Sequence, residues 1–241
     1  MEVDIFIPCF IDQLSPDTGF NMVKVLEHVG CKVHYNPGQT CCGQPAFNAG
    51  QWEKMDDVGK KFITDFSAVD RTIVSPSGSC TGFVRNFYNE LYANTPYHNY
   101  YKQVKRNLFE ISEFLVDVMQ QTDLGGKFQA KVTYHDACGA LRECGIKEQP
   151  RKLLAAVEGL ELVEMDFSET CCGFGGTFAA KFEAISSGMA DNKGQFAAAT
   201  GAEYVVSTDY SCLMHLQAYF DKQQIPVKCI HLIDLLAKSI S

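Results

Sequence analysis

The stretches QTCCGQPAFNAG at 39–50 and ETCCGFGGTF at 169–178 each set two thiols side by side before a glycine. Cys41 and Cys42 form the first pair, Cys171 and Cys172 the second. A bridge between neighbouring residues strains disulfide geometry, so each pair faces some other partner. Two more cysteines flank each pair at matching distances. Between Cys9 and Cys41 lie 31 residues, and between Cys42 and Cys80 lie 37. The second set, Cys138, Cys171, Cys172 and Cys212, has gaps of 32 and 39. Four thiolates hold a Zn²⁺ tetrahedrally, or a [4Fe–4S] cluster with one cysteine per iron. A zinc site must fold two adjacent side chains onto one ion. A cluster spreads its irons, so neighbouring cysteines each take a different one. Geometry favours iron–sulfur, one cluster or two, with Zn²⁺ in one site as the alternative. Gly43 and Gly173 let backbone N–H groups approach sulfur, which tunes its potential.

The other cysteines of the eleven are Cys31, Cys144 and Cys229. They have no counterparts in the repeat and are expected to be small buried apolar residues. Eleven is an odd number and no export signal opens the chain, so metal or redox chemistry in a reducing compartment is the expectation rather than a disulfide framework. The opening MEVDIFIPCF lacks a basic n-region and a long apolar stretch. No apolar run approaches the ~20 residues that span a bilayer. A net charge of −8 argues against a nucleic-acid surface and a polybasic membrane patch. A cytoplasmic protein with no transmembrane segment and no nucleic-acid partner is expected.

The elements that must position the thiols come in duplicate. VDIFIPC matches KVTYHDAC, GCKVHYNPGQTCCG matches GLELVEMDFSETCCG, RTIVSPSGSC matches EYVVSTDYSC, and LFEISEFLVDV matches CIHLIDLLAKS. The order is the same in both halves and the offset stays between 129 and 132 for the cysteines. The boundary falls at Gly125 and Gly126, giving repeats at 1–124 and 127–241. Strands are expected at 3–7, 32–35, 72–75, 131–135, 161–165 and 203–207. A helix from Phe20 to Val29 would present Phe20, Val23 and Leu26. A second would present Trp52, Met55, Gly59, Phe62 and Phe66, and a third runs from Cys80 to Leu91. Alternating strands and helices imply an α/β protein of two pseudo-twofold-related halves, each a parallel sheet flanked by helices. The cysteines all follow strands, where parallel sheets bind ligands, so each set can converge at one edge. The basic, tyrosine-rich stretch PYHNYYKQVKRN at 96–107 is expected to be a solvated loop and helix start.

CCGQPAFNAG, PSGSCTGFVRNFY, CCGFGGTFAAKF and DYSCLMH resemble the cysteine-rich CCG-domain proteins, in particular the lactate utilization protein A family, over essentially the whole chain. The resemblance implies an iron–sulfur protein that acts with B-type and C-type lactate utilization proteins in oxidising L-lactate to pyruvate. Related domains occur in the iron–sulfur component of glycolate oxidase, the C-type component of anaerobic glycerol-3-phosphate dehydrogenase and the B-type component of heterodisulfide reductase. In the last of these a Cys-x-x-Cys element supplies a fifth ligand to a non-cubane cluster. Here its first position is Ser77 in one half and Asp209 in the other. A conventional [4Fe–4S] cluster is therefore expected, with Ser77 and Asp209 capping the following turn.

No Rossmann fingerprint, Walker loop or nucleophile elbow is present. His135 is expected to be a hydrogen-bonded structural histidine and Arg142 a member of a surface ion pair. The expected role is electron transfer in a lactate-oxidising complex. The rivals are a zinc-bound scaffold and a heterodisulfide-reductase-like or glycolate-oxidase-like iron–sulfur protein.

Overall fold

The computed structural model describes all 241 residues. Eight strands form two parallel sheets: β1 Glu2–Ile5, β2 Lys32–Tyr35, β3 Thr72–Ser75 and β4 Leu108–Glu110, then β5 Lys127–Tyr134, β6 Glu158–Leu162, β7 Tyr204–Ser207 and β8 Lys228–His231. Both sheets have one order, β2-β1-β3-β4 and β6-β5-β7-β8, with every pairing parallel. The α/β architecture with two similar halves is thus observed. The expected strands are recovered with small shifts. β1 ends at Ile5, β5 begins at Lys127 directly after the two glycines, and β6 ends at Leu162. No helix is long and apolar enough to cross a membrane.

Both faces of each sheet are covered, and the inner strands β3 and β7 accordingly bury successive residues, Ile73–Ser75 and Val205–Ser207. Val3, Ile5 and Val74 of the first sheet and Val132, Tyr134, Val206 and Ile230 of the second meet in one shared core. The opposite faces pack against separate outer cores, around Phe6 and Ile73 in the first half and around Val205 in the second. The halves are therefore joined through their largest hydrophobic cluster. Each contributes helices to the other's flank. Helix Pro16–His28 packs on helix Leu232–Ser239, where the Asp234 carboxylate accepts from Thr18 Oγ1 and Asn21 Nδ2, both at 2.9 Å. The segment Ile111–Glu113, with its π-helical continuation Phe114–Val118, packs in the same way on helix Glu148–Ala155.

Some expected faces turn out differently. In helix Pro16–His28 the buried residues are Thr18, Met22, Val25 and Leu26, and Phe20 is 73% exposed. The helix starts at Pro16, earlier than periodicity suggested, because proline is preorganised for the first turn. Helix Trp52–Ser67 buries Met55, Gly59, Phe62 and Phe66 as expected, together with Ile63. Trp52 at its first turn is instead 55% exposed and leans on Phe47. The stretch at 96–107 is a helix, His98–Asn107, whose Tyr101 and Val104 enter the outer core.

The halves approach each other closely at two glycines. A Cβ on Gly78 would sit 2.6 Å from Ala140 Cα, and one on Gly139 would sit 2.5 Å from Ser79 Cα. Gly139→Ala must push the halves apart there, and a loss of about 1–3 kcal/mol is expected. A lowered urea midpoint with unchanged slope is the measurement.

Glu110 ends β4 as a fully buried carboxyl. It caps the next turn by accepting from Ser112 N at 2.8 Å, while its Oε1 has no partner. Burial raises its pKa from 4.5 to about 8. The folded state therefore holds a proton that the unfolded chain releases. That stabilisation is complete below about 4.5 and fades as pH rises to about 8. Glu110→Gln should remove this slope, up to ~1.4 kcal/mol per pH unit, so the variant gains on the parent across that window in urea titrations.

Candidate metal centre

In each half three loops beyond the strands' carboxyl ends bring the thiols together. Cys9 opens a helix just after β1, Cys41 and Cys42 lie in the loop after β2, and Cys80 sits in the first turn of helix Gly78–Tyr92 after β3. In the second half Cys138 follows β5 and precedes a π-helical turn, Gly139–Glu143. Cys171 and Cys172 follow β6, and Cys212 lies in the first turn of helix Tyr210–Gln223 after β7. All eleven cysteines are free thiols.

The sulfurs within each set form a chain of contacts. Cys9 and Cys41 Sγ are 3.6 Å apart. Cys41 contacts Cys42, and Cys42 contacts Cys80. The second set repeats the order: Cys138 to Cys171, Cys171 to Cys172, Cys172 to Cys212. Neighbouring thiols hold the first member of each pair, Cys41 and Cys171, far below the usual thiol range. Cys9, Cys42, Cys138 and Cys172 are pushed up in turn, first by hydrogen bonding to that thiolate and then by burial. The pair turns have matching geometry. Gly43 has φ +88° and Gly173 has φ +96°. That left-handed turn aims their N–H groups at Cys41 and Cys171 Sγ, each at 3.4 Å. Phe174 N–H adds a third donor, 3.5 Å from Cys172 Sγ.

The two sets open onto a single cavity of about 560 Å³ at the junction of the halves. Cys9, Cys42 and Cys80 line one side and Cys138, Cys171, Cys172 and Cys212 the other, while Cys41 lies just behind Cys9. Phe10 and Phe174 meet edge to face across the junction at 5.5 Å. Soft sulfur donors, preset backbone N–H groups on sulfur and a largely apolar cavity suit a thiolate-bound metal centre.

The remaining candidates are placed differently from one another. Cys31 is buried in the shared core. Cys229 lies in β8, half-buried, with its thiol pushed up by burial. Cys144 touches Gly78 O at 3.6 Å, away from the cavity, and burial raises its thiol to about 12. Ser77 caps its helix as expected, accepting from Cys80 N at 3.3 Å. Asp209 does not cap its own helix. Its buried carboxylate crosses to the other half, accepting from Ser77 Oγ at 3.1 Å, Ser79 N at 2.9 Å and Ser79 Oγ at 2.7 Å. This fixes the turn that carries Cys80, and burial holds the Asp209 pKa above the usual range. Arg142 forms no ion pair and reaches only Glu169 O, at 3.4 Å. His135 is not hydrogen-bonded through its ring: neither nitrogen has a partner, and burial and then Lys193 lower its pKa to about 4.

Lys193 went unrecognised in the sequence. It is fully buried behind the second cysteine pair and donates to Phe167 O at 2.7 Å and Ser168 O at 3.0 Å. Burial lowers its pKa to about 8. A lysine in the buried register of a duplicated helix is the signal that marks it, since Phe62 holds the equivalent place.

Cys42→Ser and Cys172→Ser should each lower bound metal, and Cys144→Ser should not. Metal analysis of anaerobically purified protein checks this, and full metal in all three variants contradicts the ligand assignment.

The CCG family profile, described as a cysteine-rich domain, matches twice, at residues 3–85 and 132–217. A protein of Exiguobacterium sp. named lactate utilization protein A is 40% identical over 240 residues, 99% of this chain and 98% of its own. One of the same name from Oceanobacillus iheyensis is 39% identical over 236 residues, 98% and 96% of the two chains. A crystal structure of a hypothetical protein from Helicobacter pylori superposes with a TM-score of 0.63 at 11% identity, a likeness of fold alone. It covers 100% of this chain, which spans 49% of that one. With two profile matches and relatives aligned end to end, the chain belongs to the cysteine-rich CCG family.

Proposed function

We propose that this chain is an iron–sulfur electron-transfer subunit of a system that oxidises L-lactate to pyruvate. The observation that carries the reading is two matched four-thiol sets facing one cavity. The relatives named lactate utilization protein A supply the substrate. The repeats at 1–124 and 127–241 would each hold one centre. Cys9, Cys41, Cys42 and Cys80 bind the first, and Cys138, Cys171, Cys172 and Cys212 the second.

A [4Fe–4S] cluster bound there supplies one-electron transfer. The chain's own residues supply the surroundings. Gly43 and Gly173 N–H groups stabilise charge on Cys41 and Cys171 sulfur. Phe10 and Phe174 pack edge to face across the junction and give the cavity an apolar wall. Oxidation of L-lactate releases two electrons and two protons, and the sequence carries no recognisable site for a hydride-accepting cofactor. B-type and C-type lactate utilization proteins are the partners that fit this need.

One observation favours zinc in the second site: nitrogen of His135 and sulfur of Cys172 and Cys212 all lie within 4.8 Å of one another, a spacing that suits a single ion. Iron, sulfide and zinc analysis with electron paramagnetic resonance on anaerobic protein separates the two readings. Colourless, zinc-loaded protein overturns the iron–sulfur one.

The iron-loaded protein alone should produce no pyruvate from L-lactate with an artificial acceptor. Turnover should appear on adding the B-type and C-type proteins. Sustained pyruvate production without them overturns the electron-transfer role.

A further inference from the structure

The two halves differ beside their cysteines. Cys9 and Cys138 are 129 residues apart, and the same offset sets Phe6 against His135. The buried face of helix Trp52–Ser67 runs Met55, Gly59, Phe62, Ile63 and Phe66. That of helix Glu183–Ala199 runs Ser186, Ala190, Lys193, Gly194 and Ala197, at a constant offset of 131. Phe62 therefore corresponds to Lys193. In the first half the two phenylalanines meet edge to face at 4.8 Å. In the second half an imidazole and an ammonium take their places.

The ammonium has its partners in Phe167 O and Ser168 O. The imidazole has none. His135 is fully buried and both ring nitrogens are unpaired. Its backbone is held in the sheet, donating to Val206 O at 2.8 Å and accepting from Ser207 Oγ at 2.9 Å. The adjacent Asp136 carboxylate is committed to a two-pronged pair with Arg151, at 2.8 and 2.9 Å. A buried imidazole without a partner costs folding free energy, and such groups in native proteins mark an ion or water that completes them. Against the lowering by burial, the Ser168 backbone beside the ring holds its pKa up, but Ser168 O already accepts from Lys193 Nζ at 3.0 Å and Asp136 N at 3.2 Å. The other groups at hand are Cys172 and Cys212 Sγ, within 4.8 Å of a ring nitrogen.

We propose that His135 supplies an imidazole nitrogen to the iron held by the second cysteine set, so that the two centres differ in ligation. The inference rests on the iron–sulfur reading above. The first centre, beside Phe6, is bound by sulfur alone. The second set then has five donors for four irons. This ligation departs from the four-sulfur set given above for the second centre. Cys171 keeps the Gly173 N–H on its sulfur and Cys172 and Cys212 are buried, so the nitrogen takes the place of the partly exposed Cys138. Exchanging an anionic sulfur for a neutral nitrogen makes the centre less negative and raises its reduction potential. Electrons would then rest on the second centre in preference to the first.

The test is pulsed electron paramagnetic resonance on the reduced, iron-loaded, full-length protein, with and without ¹⁵N-labelled histidine. One of two cluster signals should show a strong nitrogen coupling that changes with the label. His135→Phe, which copies the first half, should abolish that coupling and move the higher of two midpoint potentials down towards the lower. His215→Gln should leave both unchanged. The label needs no substitution, so a misfolded His135→Phe does not remove the test. Iron and sulfide at both sites with no label-sensitive coupling overturns the inference and spares the iron–sulfur reading. Zinc in place of iron overturns both.

Discussion

The distance between two backbones governs this molecule. Gly78 and Gly139 bring the first turn of one helix and the start of a π-helical turn together, with no room for a side chain on either. Each is near a cysteine, Gly78 two residues before Cys80 and Gly139 next to Cys138. The contact between the halves is thus also the contact that points both cysteine sets into one cavity. Asp209 fastens the same spot from the second half onto Ser77 and Ser79 of the first. A carboxylate buried there is tolerable because three donors converge on it. Behind this polar fastening the shared core holds the sheets together by burial from both sides.

Electrostatics within each set follow from crowding. Thiols in contact cannot all ionise, so charge gathers on one sulfur, the first of each adjacent pair. The glycine after the pair then aims its N–H at that sulfur. A bound metal would spread the charge that the bare thiols compete for, since metal binding stabilises thiolate. The duplicated loops make the sets alike in this respect. Their surroundings are unlike: Phe6 and Phe62 enclose one, His135 and Lys193 the other. A duplicated fold can so keep two matching cysteine sets while giving them different environments.

Much of the site was legible in the sequence because it lies in local signals: adjacent cysteines, a following glycine and a repeat with nearly constant offset. Strand periodicity gave the α/β class, since sheets covered on both faces demand apolar runs. Local pattern misplaced Phe20 and Trp52, which face solvent, and the stretch at 96–107, whose Tyr101 and Val104 are core. Helical spacing identifies a face but not which neighbour covers it. That depends on elements far along the chain.

By itself the sequence determined which residues are candidate donors, that they come in two equal sets, and that each follows a strand. Those properties are set by residue type and short-range spacing. Only the tertiary structure decided that the sets share a cavity, that Asp209 reaches across the halves instead of capping its own helix, and that His135 is buried without a partner. Asp209 meets Ser79 across 130 positions, and corresponding cysteines of the two sets are 129 to 132 positions apart. Such meetings are fixed by packing of the halves on one core, and chain-local preferences carry no information about them.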